Sequence, residues 1–291
     1  MKNTINLGSF LSLKAPNYLV DTVQEAIECE EKVFMIYTGS PQTTLRVPLE
    51  KLQIPQFQEI CKQNQINTKN LIVHAPYIIN PASSVSYIMN TTSVFLISEL
   101  KRTYAIGIDK MVLHPGNATN GLTKQAAIQN TINMINLINE SNPGVIICLE
   151  TMAGKGTEIG STFTELKEII NGVEKKHLVA VCLDTCHIFD AGYDLFNTNQ
   201  LLDEFDKEIG LELLKVIHLN DSCNERGSHK DRHANLGYGK IGWDNLVNFA
   251  FNERIVNVPK ILETPIFRDE VYSRKTEIEV FLSKKWKDWM K

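Results

Sequence analysis

Residues 179–187 read Val-Ala-Val-Cys-Leu-Asp-Thr-Cys-His, and this stretch decides the fold. An apolar run without polar alternation suits a strand covered on both faces, as in a parallel sheet. The run ends on the carboxylate of Asp184, and the imidazole of His187 follows where the chain turns into a helix. Outward from it the same form repeats. Ile5–Phe10, Val33–Thr38, Asn70–Ala75, Lys110–His114, Val145–Thr151, Val179–Asp184, Leu214–Asn220 and Pro259–Glu263 are the expected strands. Between them the spacing is helical: in 124–141, Ile128, Ile132, Ile135 and Ile138 recur at three- and four-residue steps. Thr162-Phe163-Thr164-Glu165 has the form of a capping box, and Gly107 and Gly172 stand where helices are expected to stop. Strand and helix alternating in this way is the pattern of an α/β fold, the (β/α)8 TIM barrel. A doubly wound open sheet is the competing arrangement.

The 291 residues suit one large domain spanning 1–291. With 43% hydrophobic and 22% charged residues, disordered and collagen-like chains are excluded. Lys and Arg number 30 against 34 Asp and Glu, and the net charge of -4 gives no global basic signature for nucleic acid. Cys29, Cys61, Cys148, Cys182, Cys186 and Cys223 include no C-x-x-C pair and are expected to be reduced thiols, most of them in or near the core. Met1–Thr4 leads into the first expected strand rather than into a secretory segment, and no apolar run approaches the roughly 18 residues that span a bilayer. A cytoplasmic protein without membrane partners is the expectation.

The strands end in Val73-His74, Leu113-His114, Leu149-Glu150, Leu183-Asp184, Ile217-His218 and Leu262-Glu263. In a barrel the strand C-termini converge on one face, where active sites lie. A single His or acid at a strand end is ordinarily a solvated loop residue; six together point to a common site. His187, just past the sixth strand, and Asp231 and His233, in the loop after the seventh, extend the set. The i, i+2 spacing of the last two would place both on one side of extended backbone. Nine nitrogen and oxygen donors exceed what one tetrahedral ion uses, so they suit two or three divalent ions with a bridging carboxylate. Imidazole with carboxylate favours zinc, with manganese and iron as competitors. Three such ions would reverse the sign of the net charge of -4, which suits a phosphodiester substrate.

Other motifs are weaker. Gly154-Lys155-Gly156-Thr157-Glu158-Ile159-Gly160 lacks the spacing of a dinucleotide or Walker loop and reads as a flexible loop, with Lys155 a candidate phosphate contact. The basic stretch 224–232, which includes Arg232, is a candidate contact for a nucleic-acid backbone. Trp286 and Trp289 read as a helix packed on the barrel, and His177 as a surface residue.

Four longer segments carry a family resemblance: Leu149-Glu150-Thr151-Met152-Ala153-Gly154, Leu183-Asp184-Thr185-Cys186-His187, His218-Leu219-Asn220-Asp221-Ser222 and Asp231-Arg232-His233-Ala234-Asn235-Leu236-Gly237. Together, and from Gly8-Ser9 to Leu262-Glu263-Thr264-Pro265, the chain resembles endonuclease IV, the metal-dependent apurinic/apyrimidinic endonucleases. The resemblance implies cleavage of double-stranded DNA 5′ to abasic sites, leaving a 3′-hydroxyl and a 5′-deoxyribose phosphate, and cleaning of blocked 3′ ends. It also implies three zinc ions: His74 and His114 at the first with Glu150 bridging, Asp184, His218 and Glu263 at the second, and His187, Asp231 and His233 at the third. A water activated between the first two ions is the expected nucleophile, with Glu150 and Glu263 as the catalytic carboxylates. Tyr77 matches a residue the family inserts into DNA at the lesion, with Ile78 beside it. Two departures bear on DNA grip. Phe10 stands where the family often has His, and Gln42 lies where some members place an arginine that enters the base stack. A monomer acting at the nucleoid is expected. The rival readings are a two-metal sugar isomerase or epimerase, which needs no third set of ligands, and a non-catalytic lesion-binding protein.

Overall fold

Inside the apolar runs lies a two-residue alternation that sorts side chains between the inside and the outside of a barrel. The structure is a computed structural model that describes residues 5–291; the expected lead-in Met1–Thr4 lies outside the described residues. In chain order the elements are β1 (Leu7–Leu11), α1 (Leu19–Glu28), β2 (Met35–Ile36), α2 (Ile54–Gln63), β3 (Ile72–His74), α3 (Ser86–Ile106) and β4 (Lys110–Leu113). They continue with α4 (Lys124–Asn139), β5 (Ile146–Glu150), α5 (Phe163–Gly172), β6 (Val179–Asp184), α6 (Thr185–Ala191), α7 (Thr198–Glu208) and β7 (Leu214–His218). The last are β8 (Asp221–Ser222), β9 (His233–Ala234), α8 (Trp243–Ala250), β10 (Lys260–Leu262) and α9 (Glu270–Leu282).

Eight parallel strands close in the order β1-β10-β7-β6-β5-β4-β3-β2, and β8 and β9 form a separate antiparallel pair. The closed ring excludes the open sheet. Met35, Ile72, Val112, Cys148, Ala180, Cys182, Val216 and Ile261 pack together inside it. Their neighbours Ile36, Val73, Met111, Leu149, Val181, Ile217 and Leu262 face outward into the larger core beneath the helices. The ring follows from parity: Ile72, Val112, Cys148, Cys182, Val216 and Ile261 lie two residues before His74, His114, Glu150, Asp184, His218 and Glu263. Each of those six therefore leaves its strand on the inner face.

β6 keeps its full expected span, Val179–Asp184, and β1 runs from Leu7 to Leu11 rather than from Ile5 to Phe10, while other strands are shorter than their apolar runs. β2 keeps only Met35–Ile36 of the expected 33–38, and β10 stops before Glu263. Burial makes a run apolar whether or not it is paired, so composition overstates strand length. Thr162 caps α5 by accepting from the Glu165 amide, but the Glu165 carboxylate reaches back to the amides of Gly160 and Ser161 rather than closing a capping box on Thr162. Gly107 ends α3 at φ 93°, as expected. Gly172 instead stays within α5, where a Cβ would come to 2.6 Å of Ile132 Cδ1; it is a packing glycine, and Val173 is the cap. Lys284, at φ 58°, terminates the helical path, so Trp286 and Trp289 lie in an irregular tail that packs its rings on Tyr238.

Gly8 is required by a close approach. A Cβ there would lie 1.7 Å from the Val33 carbonyl oxygen, beside the buried Glu31 carboxylate that accepts from the Ser9 amide at 2.7 Å. Backbone cannot give way as a flexible side chain can, so Gly8→Ala is expected to cost about 3 kcal/mol or more, read from urea midpoints. A shift under about 1 kcal/mol would contradict this packing.

Candidate metal centre

Glu150 sits at the middle of the barrel mouth, 1% exposed. Its Oε2 lies 3.1 Å from His74 Nε2 and 3.1 Å from His114 Nε2. Its Oε1 lies 3.0 Å from His218 Nδ1 and 3.4 Å from His187 Nδ1. His218 Nδ1 is also 3.1 Å from Glu263 Oε2 and 3.8 Å from Asp184 Oδ2. On the far side, His187 Nε2 and His233 Nε2 stand 3.1 and 3.6 Å from Asp231 Oδ1. All nine residues expected from the strand ends and the two following loops thus meet at one mouth. Within the set, His74, Glu150 and His218 bring their ligand atoms within 4.8 Å of one another, as do His187, Asp231 and His233, and likewise Glu150, Asp184, His218 and Glu263.

Backbone carbonyls orient the imidazoles. His74 Nδ1 donates to Ala75 O at 2.6 Å, His187 Nδ1 to Thr151 O at 2.9 Å and His233 Nδ1 to Glu263 O at 3.3 Å. A carbonyl only accepts, so Nδ1 carries a proton and Nε2 is the nitrogen turned to the site, as in metal-binding histidines. His233 Nε2 is buried and has no hydrogen-bond partner, with Asp184 Oδ2 and Asp231 Oδ1 both at 3.6 Å. That orphan, ringed by oxygens too far for a hydrogen bond, is what a donor set built around cations leaves.

The charges are coupled. Burial alone would raise the Glu150 carboxyl, but the His218 and His114 imidazoles hold it well below the usual carboxylate range. Glu263 is likewise raised by burial, yet His218 brings it down to about 2. Burial works to lower His187 and His218, but Asp184, Asp231 and Glu150 hold His187, and Cys182, Glu263 and Glu150 hold His218, well above 6.5. At His187 and His218 a proton stands in for the positive charge a cation would bring.

Asp231 does not reach the site through extended backbone. It lies at φ 59°, and its amide donates to Asp190 Oδ2 at 2.8 Å, so an anchored left-handed turn aims its carboxylate. The 154–160 loop is pinned rather than flexible: Ile159 N bonds Gly116 O, Ala118 N bonds Thr157 O, and Met152 N bonds Gly160 O. Lys155 lies exposed on it. Tyr77 and Ile78 are half exposed at the mouth, and Arg232 is exposed. His177 is on the surface. All six cysteines are free, five of them buried.

Three residues escape the strand-end reading. Asn220, fully buried, donates from Nδ2 to Asp184 Oδ2 at 2.8 Å and accepts the Glu263 amide at 2.9 Å, tying the Asp184 carboxylate to the Glu263 backbone. Its place two residues after His218 in the quoted His218-Leu219-Asn220 segment is the signal that could have found it. Tyr37 lies between Phe10 and His74, with ring centroids at 5.3 and 5.0 Å, and lines both the metal-facing pocket and an adjoining cleft of about 380 Å³. Glu158 joins the wall of the metal-facing pocket beside Asn117.

The chain matches the family of xylose isomerase-like TIM barrels over residues 23–284. It is 45% identical to a probable endonuclease 4 of Ureaplasma urealyticum over 293 residues, covering 99% of this chain and 96% of the relative. A probable endonuclease 4 of Malacoplasma penetrans is 45% identical over 288 residues, covering 99% of each chain. Among solved structures, endonuclease IV from Thermus thermophilus superposes with a TM-score of 0.82 at 27% identity, covering 96% of this chain and 98% of that one. A D-tagatose 3-epimerase-like protein, at 16% identity and a TM-score of 0.70, shares the fold alone. Among the described residues no helix is long and apolar enough to cross a membrane.

Proposed function

From its membership of the endonuclease IV family, to which the chain belongs as an AP endonuclease of DNA repair, we propose that it cuts the phosphodiester 5′ to abasic sites and clears blocked 3′ ends. The observation that carries the reading is the convergence of nine nitrogen and oxygen donors around the buried Glu150, with the Nε2 of His233 left without a partner. His74 and His114 with a bridging Glu150, then Asp184, His218 and Glu263, then His187, Asp231 and His233, would hold three zinc ions, with manganese or iron as substitutes. When bound, such ions supply Lewis-acid charge for a phosphate and for a nucleophilic water.

The protein's own residues do the rest. Asn220 and Thr151 hold Asp184 in place through its carboxylate and its amide. Carbonyls fix His74, His187 and His233. Glu150 and Glu263, ionised across the physiological range, give the mouth the negative charge that cations need. Tyr77 and Ile78 offer apolar surface at the rim, the kind of wedge that unstacks a duplex. An extrahelical sugar without its base costs little to unstack and fits where a whole nucleotide does not. The testing experiment is a duplex with one abasic analogue, incubated with and without chelator while metals are quantified. A nick 5′ to the lesion that chelation removes is the expected result; cleavage indifferent to chelation would refute the metal-centred reading.

The coupled charges make a second expectation. His187 and His218, held well above 6.5, stabilise the stripped protein fully below about 6.5, and that stability is lost as pH rises through their raised values. Glu263, held at about 2, contributes stability present above 4.5 and lost as pH falls through about 2. Ions must displace the imidazole protons, so their binding strengthens as pH rises. The Tm difference between loaded and stripped protein is therefore expected to widen between about pH 6 and pH 8. Calorimetry showing a constant or shrinking difference would contradict it.

A further inference from the structure

The loop after β2 is built inside out: Gln42, Thr43, Thr44 and Leu45 are exposed, Leu45 at 80%, and they surround the largely buried side chain of Arg46. Arg46 Nε donates to Glu99 Oε1 and to Thr38 Oγ1, both at 3.0 Å. Its Nη1 is shared among the carbonyls of Ser40, Thr43 and Leu45 at 3.3, 2.9 and 2.8 Å. Its guanidinium also lies 4.8 Å over the Phe95 ring of α3. Glu99, fully buried, accepts the Thr38 hydroxyl at 2.6 Å and faces Arg102 Nε at 3.7 Å, so this corner is tied to α3. Gly39 leaves room for it, since a Cβ there would meet Arg46 Cδ and Nη1 at 2.9 Å.

The same loop forms one wall of the cleft beside the metal-facing pocket: Pro41 lines it together with Tyr37, Tyr77, His233 and Glu263. Gln42, next to Pro41, is an exposed amide. The arginine in this loop points inward. We propose that Arg46 is a positioning residue for lesion recognition: it fixes residues 39–45 as a preformed wall against the duplex without touching DNA or metal. This rests on the abasic-site reading above. A guanidinium fork can satisfy three carbonyls while staying paired to a carboxylate; an ammonium cannot reproduce that geometry. A wall fixed in advance spares the complex the entropy of ordering it, so its loss falls on affinity rather than on chemistry.

The test measures affinity for a labelled abasic duplex by anisotropy, kcat at saturating duplex, and metal content, for the parent, Arg46→Ala, Arg46→Lys, Gly39→Ala and the Gly39→Ala/Arg46→Ala pair. Arg46→Ala is expected to weaken binding about tenfold or more while kcat and metal content stay within about twofold of the parent. Arg46→Lys should not restore it, Gly39→Ala should reproduce it with Arg46 still present, and the pair should be no worse than either. Unchanged affinity in Arg46→Ala, or affinity, kcat and metal content falling together, would overturn the proposal, the latter result marking a merely structural arginine. Nicking by the parent separately tests the reading beneath it: a parent that binds the abasic duplex without nicking still lets the affinity comparison decide the role of Arg46, and a parent that does not bind overturns both.

Discussion

Glu150→Gln is expected to lower cleavage of an abasic duplex by about a thousandfold while leaving the barrel folded. The side chains have nearly the same shape, so the packing that leaves Glu150 1% exposed survives. What changes is charge. One oxygen of Glu150 stands 3.1 Å from both His74 and His114, and the other 3.0 Å from His218, so it faces both sides of the mouth. An amide presents one oxygen and one NH2, and the NH2 repels a cation wherever it points. Single-turnover cleavage, metal content and circular dichroism of the same preparation would check this. A variant that cuts at the parent's rate would sink the bridging role.

The second large effect separates the endonuclease from a two-metal epimerase on the same barrel. Replacing Asp231 and His233 together by Asn is expected to leave one ion fewer bound per chain and to reduce cleavage about a hundredfold or more. Asp231 lies between β8 and β9 and His233 opens β9, and their ligand atoms lie within 4.8 Å of each other and of His187. The His74, Glu150 and His218 cluster does not depend on them, so the remaining ions should stay. Metal analysis with single-turnover kinetics reads both numbers. Full cleavage by the variant would sink the role of the third ligand set, and a parent that binds two ions and cuts nothing would favour the epimerase-like chemistry.

The barrel and six of its nine donors are legible in the sequence for one reason. A strand buried on both faces is largely apolar until it leaves the sheet, so the first His, Asp or Glu marks both where the strand ends and where the chemistry starts. Leu149-Glu150 and Leu183-Asp184 show this plainly. Asp231 is legible by type but not by path, because its left-handed turn hangs on Asp190, a contact between residues 41 positions apart. Asn220 and Tyr37 are less visible: a buried amide and a phenol inside apolar segments look like ordinary polar interruptions until their partners are known. Arg46 is hidden further, since a charged residue in a polar loop reads as solvated, and only its three carbonyl contacts turn it inward. Trp286 and Trp289 mislead in the other direction, their helical spacing cut off by one residue at positive φ.

The donors run from His74 to Glu263, and the final one follows the strand that closes the ring between β7 and β1. A chain still emerging from the ribosome, its last strand unmade, therefore holds only part of the cage. The donor set closes only when the first and last strands zip together.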